Sequence, residues 1–130
     1  MRTTSRAGFT LIELLIVVVI IGILATIALP KFAATKEQAY VSRMRSDLRN
    51  IATAQTAYEA DNGNFYNGPV PGGALLYNPS QGVTITLSNV TNTGWAATAT
   101  HASTTRTCAI FVGTGGPVGP ATIDGLLACT

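Results

Sequence analysis

Charge is nearly missing from the second half of this 130-residue sequence: after Asp61 only Arg106 and Asp124 carry it. A calcium site draws on several oxygen ligands, and this half offers one carboxylate. Cysteine is scarce too, with Cys108 and Cys129 both in the last third. Two cysteines and the single, distant His101 are too few for a zinc site. No carboxylate pair, nucleophile motif or metal-ligand cluster stands out. The glycine-rich run Gly113-Thr114-Gly115-Gly116-Pro117-Val118-Gly119 lacks the helix that a phosphate-binding loop opens, because Pro117 and Pro120 interrupt the pattern. These absences argue against an enzyme and leave no cofactor expected. At 130 residues there is room for one small domain beside any long helix.

The sequence is rich where the chain begins. From Leu14 to Leu29 nearly every residue is aliphatic, broken by Gly22 and Thr26. Counted from Phe9 the run is about twenty residues, enough to cross the hydrocarbon core of a bilayer. Glu13 is the one ionisable group inside it, and a carboxylate at that depth is costly and marks a function. Ahead of it Met1 to Ala7 carries Arg2 and Arg6, and basic residues before an apolar span hold that end in the cytoplasm. An ordinary signal peptide cut near Ala28, at Thr26-Ile27-Ala28, is an alternative, but the internal carboxylate and the length of the run count against it. A plain single-span anchor explains the hydrophobicity without explaining Gly8, Phe9 and Glu13.

The stretch Gly8-Phe9-Thr10-Leu11-Ile12-Glu13-Leu14-Leu15 resembles the class III signal of the type IV pilin superfamily, which includes the pseudopilins of type II secretion. The resemblance covers roughly the first sixty residues. It implies leader cleavage between Gly8 and Phe9 by a membrane-embedded prepilin peptidase, and N-methylation of Phe9. It also implies insertion in the inner membrane, followed by extraction by the pilus assembly machinery into a homopolymeric filament on the cell surface. Glu13 would set register by meeting the Phe9 amine of an adjoining subunit, with a bond to its own amine as the local alternative. Gly22 and Pro30 fall where family members often soften the helix.

Removing Arg2 and Arg6 with the leader leaves six basic and six acidic side chains. A near-neutral mature chain gives no support to direct nucleic-acid binding. A head placed outside the cytoplasm favours a Cys108–Cys129 disulfide, closing a loop of about twenty residues worth about 3 kcal/mol. Two free buried thiols are the alternative.

The resulting expectation is an α+β fold. A long N-terminal helix, membrane-spanning in its first half and amphipathic in its second, packs against a small antiparallel sheet. Its parts are a leader over 1–8, a transmembrane and filament-core helix over 9–30, the amphipathic half over 31–61, and a head over 62–130. Pro30 reads as a kink or a place to melt. Val41, Met44, Leu48, Ile51 and Tyr58, with Gln55 at the missing step, make one helical face for the sheet. Lys36, Arg43, Asp47, Arg49 and Asn50 lie largely off it. A helix from Phe9 to Asp61 would be about 80 Å long, and a head this small cannot bury it. Asp61-Asn62-Gly63-Asn64 reads as a helix stop, and 64–81 as a loop in which the apolar patch from Ala74 to Tyr77 lies against the helix. Val83 to Ser88, Trp95 to His101 and Thr107 to Val112 read as strands, with turns over 89–94 and 102–106. Asn89-Val90-Thr91 has the pattern of a glycosylation sequon and is assigned here to the turn. His101 reads as exposed or packed.

Three functions are compatible with these readings. The leading one is a type IV pilin; the Cys108–Cys129 pair resembles the C-terminal disulfide region of pilins. The second is a pseudopilin of a type II secretion system, although major pseudopilins typically carry an acidic calcium loop. The third is a secreted or membrane-anchored binding module. Motility, adhesion, DNA uptake and phage reception all use such pilin subunits.

Overall fold

The computed structural model describes residues 8–130. The leader ahead of Gly8, with Arg2 and Arg6, lies outside the described residues. A helix, α1, runs Leu11–Asn62. The chain divides within it into two compact units, residues 1–36 and 37–130.

In the first unit, α1 exposes every large apolar side chain from Leu11 to Phe32, and Phe9 just ahead of the helix is 90% exposed. Removing one such side chain from water is worth about 1.5–3 kcal/mol, so the run as a whole represents tens of kcal/mol awaiting an apolar environment. The helix is long and apolar enough to cross a membrane.

The second unit holds the rest of α1 and a sheet of four antiparallel strands in the order β1-β2-β3-β4. They are β1 (Val83–Thr91), β2 (Gly94–His101), β3 (Thr107–Gly113) and β4 (Ala128–Cys129). Alternation along β1 sends Val83 and Ile85 inward and Thr84 and Thr86 outward. The inward row joins Trp95, Ala97 and Ala99 of β2 and Cys108 and Ile110 of β3 against Val41, Met44, Leu48 and Ile51 of α1. Alanine is a poor strand former; here Ala97 and Ala99 are fully buried in the core shared with α1. The other face of β2 is covered as well, because Ala96, Ala109 and Phe111 cluster with Ala121 of the 114–127 segment.

Three details differ from the sequence reading. The first hairpin loop is shorter than 89–94: β1 continues to Thr91, and a register shift between Ser88 and Thr91 absorbs the extra residues. Asn89 sits there at φ 49°, a conformation asparagine tolerates, and its amide donates to Gly115 O at 3.1 Å. Gly115 lies so close to the Trp95 backbone that a side chain would collide with it, which accounts for a glycine in that loop. Second, residues 128–129, outside the three strands read from the sequence, form a fourth, β4, with Cys129 opposite Cys108 and Ala128 opposite Ala109. Third, Asp47 is not off the packed face. It is 2% exposed and accepts from Tyr77 Oη at 2.6 Å, Ser80 N at 3.0 Å and Ser80 Oγ at 3.0 Å.

Asp47 and Gln55 together fasten the 63–82 loop to α1. The Gln55 amide donates to Tyr66 O at 2.9 Å and accepts from Tyr66 N at 2.8 Å, so a buried polar side chain replaces a strand partner. In the patch from Ala74 to Tyr77, Leu75 enters the core while Leu76 stays exposed. Burial, with the Asp47 hydrogen bond second, pushes the Tyr77 hydroxyl up to about 12. A raised folded value means that the fold favours the neutral phenol. Its contribution is complete below the ordinary value near 10 and is lost as pH rises from 10 through about 12. In an alkaline titration followed by tyrosinate absorbance, one of the four tyrosines should therefore ionise late. Tyr77→Phe should remove that late step; an unchanged late step in the variant would assign it elsewhere.

Candidate assembly site

The residues at the start of α1 form a reciprocal cap. Thr10 precedes the first helical residue, and its Oγ1 accepts from Glu13 N at 3.3 Å. Glu13 Oε2 in turn accepts from Thr10 N at 2.8 Å and from Thr10 Oγ1 at 2.8 Å. This is the capping box, in which each side chain satisfies the other's backbone donor. The Thr-x-x-Glu spacing is legible in the sequence as a capping box, a role for Thr10 that the charge of Glu13 alone does not suggest. Thr10 sets the helix start at Leu11 rather than Phe9. Gly8 is exposed, and a side chain built on it would touch nothing among the described residues.

Gly22 and Pro30 both lie inside α1, which is helical through each of them. Proline has no N–H, so the carbonyl four residues back, that of Thr26, gets no bond from it. Thr26 Oγ1 donates to Ile23 O at 2.7 Å, and Thr35 Oγ1 to Lys31 O at 2.9 Å. These hydroxyls bracket the proline with extra bonds to carbonyls.

Cys108 and Cys129 are disulfide-bonded, 21 residues apart. His101 is packed: its ring stacks on Tyr40 at 4.2 Å, and Nδ1 accepts from Ser103 N at 3.0 Å. Asp124 Oδ1 accepts from Gly113 N at 2.9 Å, holding the glycine-rich loop to the end of β3. Among the described residues no three His, Cys, Asp or Glu gather as metal ligands. The arrangement offers a capped, lipophilic helix end and a stapled head; among the described residues it assembles no cluster of metal-ligating side chains.

A family model described as the prokaryotic N-terminal methylation motif matches residues 3–29. The type II secretion system core protein G of Pseudomonas aeruginosa is 42% identical over 62 residues, which are 48% of this chain and 44% of that protein. Its namesake in Klebsiella michiganensis is 35% identical over 80 residues, 62% of this chain and 56% of that one. The type IV major pilin protein PilA of Myxococcus xanthus is 43% identical over 58 residues, 45% of this chain and 26% of its own length. The chain thus spans about half the length of the secretion relatives and about a quarter of the pilin.

Proposed function

We infer that this chain, a member of the superfamily of type IV pilins and type II secretion pseudopilins, is a structural subunit that polymerises through its apolar N-terminal helix. The observation that carries the reading is the exposed apolar face of α1 behind a capped Thr10–Glu13 start. Such a helix is at home in lipid or among copies of itself, and both are stages of filament assembly. We assign residues 1–8 to a leader cut by prepilin peptidase, with Phe9 methylated on its new amine. Residues 9–30 form the membrane span and later the filament core, 31–61 the amphipathic half of the helix, and 62–130 the head. The precursor sits in the inner membrane. On assembly the segment between Gly22 and Pro30 loses helix locally, since the packed filament interior shields backbone groups from lipid.

The finer reading is a type IV pilin exported to the cell surface. The Cys108–Cys129 staple supports it, as does a head whose Asp124 is already engaged with a backbone amide. A periplasmic pseudopilin is the second reading, favoured by the relatives named core protein G. Both are structural rather than catalytic roles.

Shearing filaments from wild-type cells and from cells lacking this chain tests the choice. Mass spectrometry of the sheared fraction is expected to find the protein beginning at methylated Phe9, and deletion to remove the filaments. Filaments that persist after deletion, with protein secretion stopped, would establish the pseudopilin reading instead. A soluble product beginning after Ala28 would overturn both in favour of a secreted binding module.

A further inference from the structure

We propose that a basic groove on the head unit receives the acidic C-terminal end of α1 from a second copy of this chain; the proposal rests on the homopolymer reading. The groove, about 320 Å³, is lined by Gln38, Val41, Ser42 and Arg45 of α1 and by Arg106 beside β3. Both arginines are exposed, and each is held through one nitrogen. Arg45 Nε donates to Cys129 Sγ at 3.3 Å, and Arg106 Nε donates to Thr130 O. Two arginines held this way edge one groove, beside Gln38 and Ser42. Paired forks of that kind suit carboxylates.

The carboxylates of the second unit are disposed unevenly. Glu37 accepts from Thr104 Oγ1, Asp47 is buried on Tyr77 and Ser80, and Asp124 holds Gly113. Glu59 and Asp61 remain, on the last turns of α1. Their placement works against the helix, because its C-terminus is the negative end of the dipole and favours cations; the last turn has no basic residue. The end itself is finished by Gly63 N donating to Glu59 O and by Asn62 Nδ2 donating to Tyr58 O, which leaves the acidic side chains without a capping role. Two carboxylates in an unfavourable local field fit a contact made outside the chain.

Arg45 and Asp61 cannot serve each other within one molecule. They are 16 residues apart on one helix, about 24 Å along its axis. Between parallel copies the same separation becomes the stagger of neighbouring helices, about 21–24 Å for pairing through Glu59 or Asp61. Charge complementarity of this kind fixes register and rejects wrong alignments more than it adds affinity.

The test uses the full chain in its own membranes, so that it does not depend on filaments forming. A variant with Arg45→Lys and Arg106→Lys is produced separately in light and heavy isotope forms, the two membrane fractions are fused, and the mixture is treated with a water-soluble carbodiimide. The reagent takes up one water as the urea while an amide joins a lysine Nζ to a carboxylate. The expected product is a mixed light–heavy peptide linking position 45 or 106 to Glu59 or Asp61. In filament assays, Arg45→Glu with Arg106→Glu should cut yield about tenfold, and so should Glu59→Arg with Asp61→Arg. The fourfold exchange should restore at least half of it. Disulfide formation, read by non-reducing mobility, reports that each head has folded. Cross-linking without filaments would keep the pairing and remove the homopolymer reading. Wild-type filaments with no cross-link would overturn the pairing alone. So would failure of the fourfold exchange in heads that have oxidised. Loss of binding to phosphatidylglycerol vesicles in Arg45→Glu, with no cross-link, would give the groove to lipid instead and overturn it as well.

Discussion

Replacing Glu13 with alanine is expected to leave the chain inserted in the membrane and to reduce filaments to less than about a tenth of wild type. The residue does two things at once. As a cap it ties Thr10 N and Thr10 Oγ1 to the first turn of α1, an arrangement typically worth about 1 kcal/mol. As a charge it stands at the positive end of the helix dipole inside an apolar segment, where an ionised carboxylate requires a partner. On the proposed leader removal a basic amine would stand at Phe9, and an adjoining copy would bring that amine to Glu13. Alanine removes both roles and makes the span more apolar, so insertion and leader cleavage persist while the register-setting contact is lost. Glutamine separates the roles, since it retains the capping geometry and lacks the charge. If the charge governs assembly, Glu13→Gln fails as Glu13→Ala does. Normal assembly of Glu13→Gln would instead make the cap the determinant. The measurement is surface filament against membrane-bound subunit, with and without co-expressed wild type. A normal yield from Glu13→Ala alone would show that apolar packing suffices.

Loss of the Cys108–Cys129 bond should be the largest single loss of head stability. Its two ends are 21 residues apart, and closing a loop of that size is worth about 3 kcal/mol in the unfolded chain. For a head unit of this size that corresponds to about 12–24 °C in the unfolding midpoint. The reason is visible in the strand it secures. β4 has two residues, and its ladder comprises the Cys108–Cys129 and Ala109–Ala128 pairs, with Thr130 N donating to Thr107 O just beyond. So short a strand does not hold itself. When it leaves, the cluster of Ala96, Ala109, Phe111 and Ala121 loses the partly buried Ala128 from its edge. Calorimetry of the detergent-solubilised full chain, comparing wild type with Cys108→Ser/Cys129→Ser, should show the drop. A change under about 3 °C would mean that the neighbouring hydrogen bonds already fix the segment. Insertion of the apolar helix should be untouched, because it involves neither cysteine.

The sequence disclosed elements with a long period and concealed those without one. Helical spacing from Val41 to Ile51 and strict alternation from Val83 to Leu87 each repeat often enough to identify α1 and β1. A two-residue strand such as β4 has no period to detect, and it exists because its partner strand and a disulfide impose it. Asp47 was misplaced for a related reason. On a helical wheel it stands at the rim of the apolar face, and what buries it is Tyr77 and Ser80, 30 and 33 residues further on. Asn89 looked like a turn residue, and its positive φ does bend the chain, but inside a strand that continues past it. At the assembly end, Gly8, Phe9 and Glu13 stood out by spacing, whereas Arg45 and Arg106 have no sequence relation to one another and share a groove only because β3 starts beside α1.

The cover on both faces of β2 carries a consequence for how this protein can diverge. Ala97 and Ala99 lie under the helix, Ala96 lies under the 114–127 segment, and all three are completely buried. At these three positions a larger residue has no room, so the thickness of the head is fixed there, while Thr100 further along the same strand stays exposed. β1 is under no such restriction at Thr84 and Thr86, which face solvent. Descendants of this chain are free to rewrite the chemistry displayed there while preserving the dimensions on which any repeating assembly depends.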